Sequence, residues 1–244
     1  MNKNYYGSLA SLIYNFTKPP GTSIDGDIEF YTKMLMPRDG LVLEAGVGNG
    51  RMLIPLARKG INIIGIDNSQ EMIDICKENI SHYNLDSYLE HAELRDFKYH
   101  TAFDSIIMPN GSFCLIQDKT EAIDILKNFR SLLTDDGQVM LDLIYPISFK
   151  PGDIHKKDYQ VNDQTITLEN RSLSMDWEHQ KTKSLFTYTQ DDVYEEQNFE
   201  LNWYGIDEFK MILKSVGFSK IEVIKNYGDK RMLNLKTVTF IAKK

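Results

Sequence analysis

Leu41–Met52 reads LVLEAGVGNGRM, and the organisation of the chain is worked out from it. Leu41 to Ala45 are mostly apolar and fill a buried strand, after which Gly46, Gly48 and Gly50 permit a tight turn that brings backbone close to a ligand. From Arg51 the chain continues RMLIPLARKG, with Leu53, Leu56 and Ala57 at helical spacing and Gly60 as a stop. The free N–H groups at the start of that helix face the glycine turn. A Gly-x-Gly turn alone also serves ordinary strand-to-helix connections, so its neighbours must carry the argument.

Ile61 to Ile66, INIIGI, predicts a second buried strand, and Asp67 stands at its end. A carboxylate about 20 residues after the first glycine is where a ribose hydroxyl pair is held in nucleotide-binding α/β folds. The dinucleotide fingerprint places a glycine three residues after its second one, and here that position is Arg51, which disfavours a nicotinamide cofactor. The glycines instead alternate, with Glu44 two residues ahead of the first. Glu44-x-Gly46-x-Gly48-x-Gly50 resembles the first motif of the class I S-adenosylmethionine-dependent methyltransferases, Glu/Asp-x-Gly-x-Gly-x-Gly. Asp67-Asn68-Ser69 with Met72 resembles their second motif. Ala92-Glu93-Leu94-Arg95-Asp96-Phe97 resembles the family's Gly-Asp-Met-Arg-Asp-Phe-like stretch, with alanine where glycine is commoner.

Composition sets the bounds. The 244 residues, 42% hydrophobic, suffice for one domain with a sizeable core. A formal charge of −7 with scattered Lys and Arg gives no electrostatic footprint for nucleic acid or an anionic membrane. Only Cys76 and Cys114 occur, which suits free thiols in a reducing compartment and offers no metal spacing. MNKNYYGSLA lacks the basic and apolar regions of a signal peptide, and no run approaches the ~20 apolar residues of a membrane span. The expected location is cytoplasmic.

Along the chain, residues 4 to 16 put Tyr6, Leu9, Ala10, Ile13 and Tyr14 near one helical face, and a second helix is expected over 25 to 36. Residues 1–37 are therefore read as an amino-terminal helical cap. Ser69 caps a helix with a Met72, Ile73, Cys76, Ile80 stripe, and 87–91 and 102–108 are further strands. The loop Pro109-Asn110-Gly111-Ser112-Phe113 leaves the latter at the carboxyl edge, where ligands of open α/β sheets bind. An amphipathic helix over 119–133 follows, then a turn at Asp135-Asp136-Gly137 and a strand over 138–145. From Pro146 the texture changes to patchy alternation, as in Phe186 with Tyr188 and Phe199 with Leu201, and 146–203 is read as an inserted antiparallel β-rich lobe. A helix over 206–216 and a closing hairpin complete the chain.

The fold class expected is α/β, a Rossmann-like seven-stranded, mostly parallel sheet with helices on both faces plus the inserted lobe, all within one methyltransferase domain. The resemblance covers roughly 38–145 and 204–244, is nearest to the small-molecule branch, and implies S-adenosyl-L-methionine as cofactor. It implies cofactor contacts at Tyr14, Glu44, Ala45, Gly46, Gly48, Asp67, Asn68, Met72, Glu93, Leu94 and Pro109. Asn110, Tyr145 and Tyr204 are expected to wall an acceptor pocket, and no catalytic acid or base is assigned. Pro109-Asn110-Gly111 is not the Asn/Asp-Pro-Pro-Tyr/Phe clamp of planar-amine methyltransferases, and Cys114 follows Phe113 rather than the proline that a cytosine-C5 nucleophile needs. The five histidines read as surface residues. A small-molecule acceptor, an amine first, is expected. The alternative is a noncatalytic S-adenosylmethionine-binding module whose inserted sheet engages a protein partner.

Overall fold

In the computed structural model, which describes residues 6–244, Val42–Ala45 (β1) runs through the middle of a seven-stranded sheet. It pairs in parallel with Ile63–Asp67 (β2) and Phe103–Met108 (β4). Leu89–His91 (β3) pairs in parallel outside β2. On the other side Leu133–Ile144 (β5), Thr237–Lys243 (β11) and Ser219–Lys225 (β10) follow in that order, and β11 runs antiparallel to both its neighbours. This is the expected sheet, with the final strand reversed.

Alternation along β1 sends Leu43 and Ala45 to one face and Val42 and Glu44 to the other. The first face packs on Lys119–Leu132 (α5) and Ile206–Val216 (α6) through Phe129, Phe209 and their neighbours. The second packs on Asp27–Leu35 (α2), Leu53–Ala57 (α3) and Gln70–His82 (α4) through Tyr31, Leu53 and Ile73. Helices on both faces explain why β1 and β4 are buried almost throughout. Cys76 and Cys114 are both buried free thiols.

The first helix, Ser8–Thr17 (α1), is shorter than the sequence reading, whose first two residues lie outside the described ones. The turn expected at Asp135-Asp136-Gly137 is instead part of β5. Phe103 pairs with Leu133 and Ser105 with Gln138, so two steps on β4 face five on β5, and a bulge absorbs the surplus.

The inserted sheet is antiparallel, in the order Ile154–Val161 (β6), Gln164–Asp176 (β7), Lys181–Gln190 (β8), Val193–Asn202 (β9). It is fixed beside the carboxyl end of β4. The Asn202 amide donates to the Ile116 carbonyl, and Lys181 Nζ donates to the Gln117 carbonyl at 2.8 Å. Leu9, Ala10 and Ile13 of α1 pack against Val161, Ile166 and Tyr188 of this sheet. Among the described residues no helix is long and apolar enough to cross a membrane.

Candidate active site

The glycine turn is held by its own backbone. Gly46 and Val47 both donate to the Ile66 carbonyl, at 2.8 and 2.9 Å, which folds the turn over the end of β2. Gly48, with φ +55°, donates at 2.8 Å to Asp67 Oδ2, and Ser69 N donates at 2.9 Å to Asp67 Oδ1. A Cβ on Gly48 would meet no atom within 4 Å, so this side of the turn is open for a ligand. Burial pushes the Asp67 pKa up, while the N–H groups of Ser69, Gly48 and Asn68 pull against that shift. A carboxylate offers about four lone-pair sites, so Asp67 can take two backbone donors and still accept from a diol.

Beneath the turn, Glu44 is 3% exposed and its Oε2 has no hydrogen-bond partner. Burial raises its pKa to about 8, against the pull of the nearby Arg51 guanidinium. Arg51 is itself committed elsewhere. It makes a buried ion pair with Asp27 at 2.6 Å and donates to the Thr22 carbonyl at 2.7 Å. Glu44 is thus a buried acid in want of a cation, beside a backbone cradle and a carboxylate suited to a ribose. Those features fit the amino-acid and nucleoside ends of S-adenosylmethionine.

A cleft of about 190 Å³ runs from this turn along the carboxyl edge of the sheet. It gathers eight of the expected residues: Tyr14, Gly46, Gly48, Asp67, Asn68, Met72, Glu93 and Leu94. Ser69 caps α4 by accepting from Met72 N at 3.2 Å, which fixes Met72 at the wall. Glu44 and Ala45 lie under the floor, at 3% and 0% exposure, and Pro109 is buried behind the wall. Asn110 has φ +55° and donates through its backbone to Asp142 Oδ2 at 2.8 Å, outside the lining.

Tyr145 and Tyr204 are not brought to the cleft. Tyr145 donates its hydroxyl to the Tyr204 carbonyl at 2.9 Å, and Tyr204, 1% exposed, packs against Phe113 and Phe209 in the core. Their bulk is spent on joining β5 to the end of the lobe. All five histidines are exposed, and none lines the cleft.

Sequence reasoning missed one wall. The short 3₁₀ turn Ser112–Leu115, with Ile116 and Gln117, and the first turns of α5, with Glu121 and Ile125, complete the lining. Glu121 and Ile125 are four residues apart on one helical face, so the period contained that signal. Ser112 belongs to the loop already placed at the carboxyl edge, whereas Leu115 to Gln117 have no periodicity and gave no signal. Arg95, named only within the motif stretch, lines the cleft and also bonds Asp96.

Residues 42–137 match a family model described as a methyltransferase domain. The chain is 25% identical to the cypemycin N-terminal methyltransferase of a Streptomyces species over 198 residues, 79% of this chain and 78% of that one. In fold it is similar to the CcbJ methyltransferase of Streptomyces caelestis, at TM-score 0.79 and 17% identity over 99% of this chain and 98% of that one. It is likewise similar to the sugar N-methyltransferase KedS8 of a Streptoalloteichus species, at TM-score 0.76 and 16% identity over 100% and 96%. Residues 42–137 thus carry a methyltransferase domain, and the strand order with its reversed last strand and the Glu44–Gly48–Asp67 cradle agree with a class I S-adenosylmethionine-dependent methyltransferase.

Proposed function

We propose that this enzyme transfers the methyl group of S-adenosylmethionine to a small-molecule amine. The observation that carries the reading is the charge of the cleft. Among its described lining residues Asp67, Glu93 and Glu121 are acids and Arg95 is the only cation, an arrangement that suits a basic acceptor and repels a phosphodiester backbone. The names of two of the similar proteins, an N-terminal and a sugar N-methyltransferase, support transfer to nitrogen.

When bound, S-adenosylmethionine supplies an activated methyl carbon whose leaving group is a neutral thioether. The chain's task is then alignment: the Gly46–Gly48 turn and Asp67 fix the donor, and the loop after β4 borders the acceptor's approach. The amine lone pair forms the new N–C bond as the C–S bond breaks, sulfur keeps the bonding pair, and the product ammonium passes its proton to water. No dedicated base is needed if the amine arrives neutral, which agrees with a cleft that no histidine lines. The lobe of residues 146–203, fixed beside the carboxyl end of β4, is assigned to acceptor selection, and α1 with Tyr6 to a cap over the cofactor, whereas α2 packs on the sheet's second face.

The test is a panel of metabolite amines, phenols, carboxylic acids, RNA and protein, offered with radiolabelled methyl donor. Label in one or more amines is expected, with kcat/KM rising with pH until the acceptor's own pKa is passed. Label confined to RNA or protein would reject the small-molecule reading. Tight donor binding with no turnover on any acceptor would favour the noncatalytic module.

A further inference from the structure

The two ends of α1 are held by different parts of the molecule. At its carboxyl end Asn15 Oδ1 accepts from the amides of Asn49 and Asn79, at 2.8 and 3.0 Å, and the Lys18 carbonyl accepts from Asn49 at 3.0 Å. Those ties are to the glycine turn and α4. At its amino end Ser69 Oγ donates to the Tyr6 carbonyl at 3.3 Å, and the N–H groups of the first turn go to the lobe. Leu9 N donates to Glu195 Oε2 at 2.9 Å and Ala10 N to Glu195 Oε1 at 3.1 Å, so one carboxylate from β9 caps the helix across 186 residues.

The helix's own N-cap position offers no side-chain cap. The N-cap residue is Gly7, which has no side chain to accept from the first turn. A Cβ on Gly7 would lie 2.6 to 2.7 Å from the Glu195 carboxylate, so glycine is what lets the carboxylate approach. The negative charge also opposes the positive end of the helix dipole.

The segment just ahead of the helix carries Tyr6 and the helix carries Tyr14; their rings meet edge to face at 5.8 Å and both line the cofactor cleft. We infer that Glu195 is a positioning residue for the cofactor: by capping α1 from the lobe, it holds Tyr6 and Tyr14 over the cleft. The lobe thereby latches the roof of the donor site, whatever acceptor is methylated. Loss of the latch frees the first turn of α1 and lets the cofactor escape faster.

S-Adenosylhomocysteine is the probe, with association and dissociation rates followed by stopped-flow. Glu195→Ala should raise the dissociation rate roughly three- to thirtyfold, the effect of losing a charged helix cap, with little change in association. Gly7→Ala should produce the same kind of rise without touching the lobe, because the methyl crowds the carboxylate while φ −77° suits alanine. Glu195→Gln, which keeps one acceptor oxygen and the same size, should fall between wild type and Glu195→Ala. A double-mutant cycle separates positioning from general loosening: in a Tyr14→Ala background, Glu195→Ala should add far less than it does alone. Should Glu195→Ala not fold, Gly7→Ala and Glu195→Gln decide the matter. Unchanged dissociation in these folded variants, or effects of Glu195 and Tyr14 that simply multiply, would overturn the inference.

Discussion

Glu44 and Asp67 do opposite electrostatic work within one site. Asp67 is satisfied by backbone donors and keeps lone pairs to spare, whereas Glu44 is buried with an oxygen that has no partner and a pKa pushed up to about 8. At neutral pH the free enzyme therefore holds Glu44 mostly protonated. A ligand ammonium favours the carboxylate, so binding should expel a proton. Affinity for S-adenosylhomocysteine should rise as pH increases toward about 8 and level off above it. Calorimetry in buffers of different ionisation enthalpy checks this, and a binding enthalpy independent of buffer would remove Glu44 from that role. Asp67→Ala should weaken the same ligand by about 1.5–3 kcal/mol, the scale of a hydrogen bond to a charged group. Unchanged affinity in a folded variant would show that the carboxylate does not hold the ribose.

Between elements, Asp142 on β5 is a junction of four donors from separate segments. It is fully buried and accepts from Tyr31 of α2 at 3.0 Å, Thr239 of β11 at 2.6 Å, Tyr227 at 2.7 Å and the Asn110 backbone at 2.8 Å. Burial lifts its pKa to about 6, and these four donors limit the rise. Asp142→Asn would turn an N–H₂ toward groups that are already donors, so it should cost about 2–4 kcal/mol in denaturant unfolding. A loss below about 0.5 kcal/mol, the scale of an ordinary surface change, would mean that the cluster does not brace the loop. None of this was legible in the sequence, where Asp142 is simply an acid in an apolar strand. What was legible is local or periodic. Glu44, Gly46, Gly48 and Asp67 fall within one strand–turn–helix–strand unit, whose geometry fixes their meeting. Long-range pairs such as Arg51 with Asp27, or Glu195 with the first turn of α1, leave no period to find. Tyr145 and Tyr204 mark a different limit, since a tyrosine's residue type fits a core as well as a pocket wall.

At the scale of the molecule, a sheet covered by helices on both faces leaves only its carboxyl edge for chemistry, and α1 and the inserted sheet are gathered at that edge. The helix carries Tyr14, and the segment ahead of it Tyr6, at the donor cleft, and the inserted sheet is joined both to that helix and to the segment following β4. On the proposed reading, donor and acceptor lie under this one roof, which suits a compact acceptor better than a polymer. The most direct measurement is methyl transfer from ¹³C-methyl S-adenosylmethionine into a metabolite extract, read by carbon NMR, which distinguishes methyl on nitrogen from methyl on oxygen. The account predicts an N-methyl signal in the low-mass fraction that requires the enzyme and is strongly reduced in Asp67→Ala. Label found only in macromolecules, or no transfer from a donor that binds tightly, would contradict it.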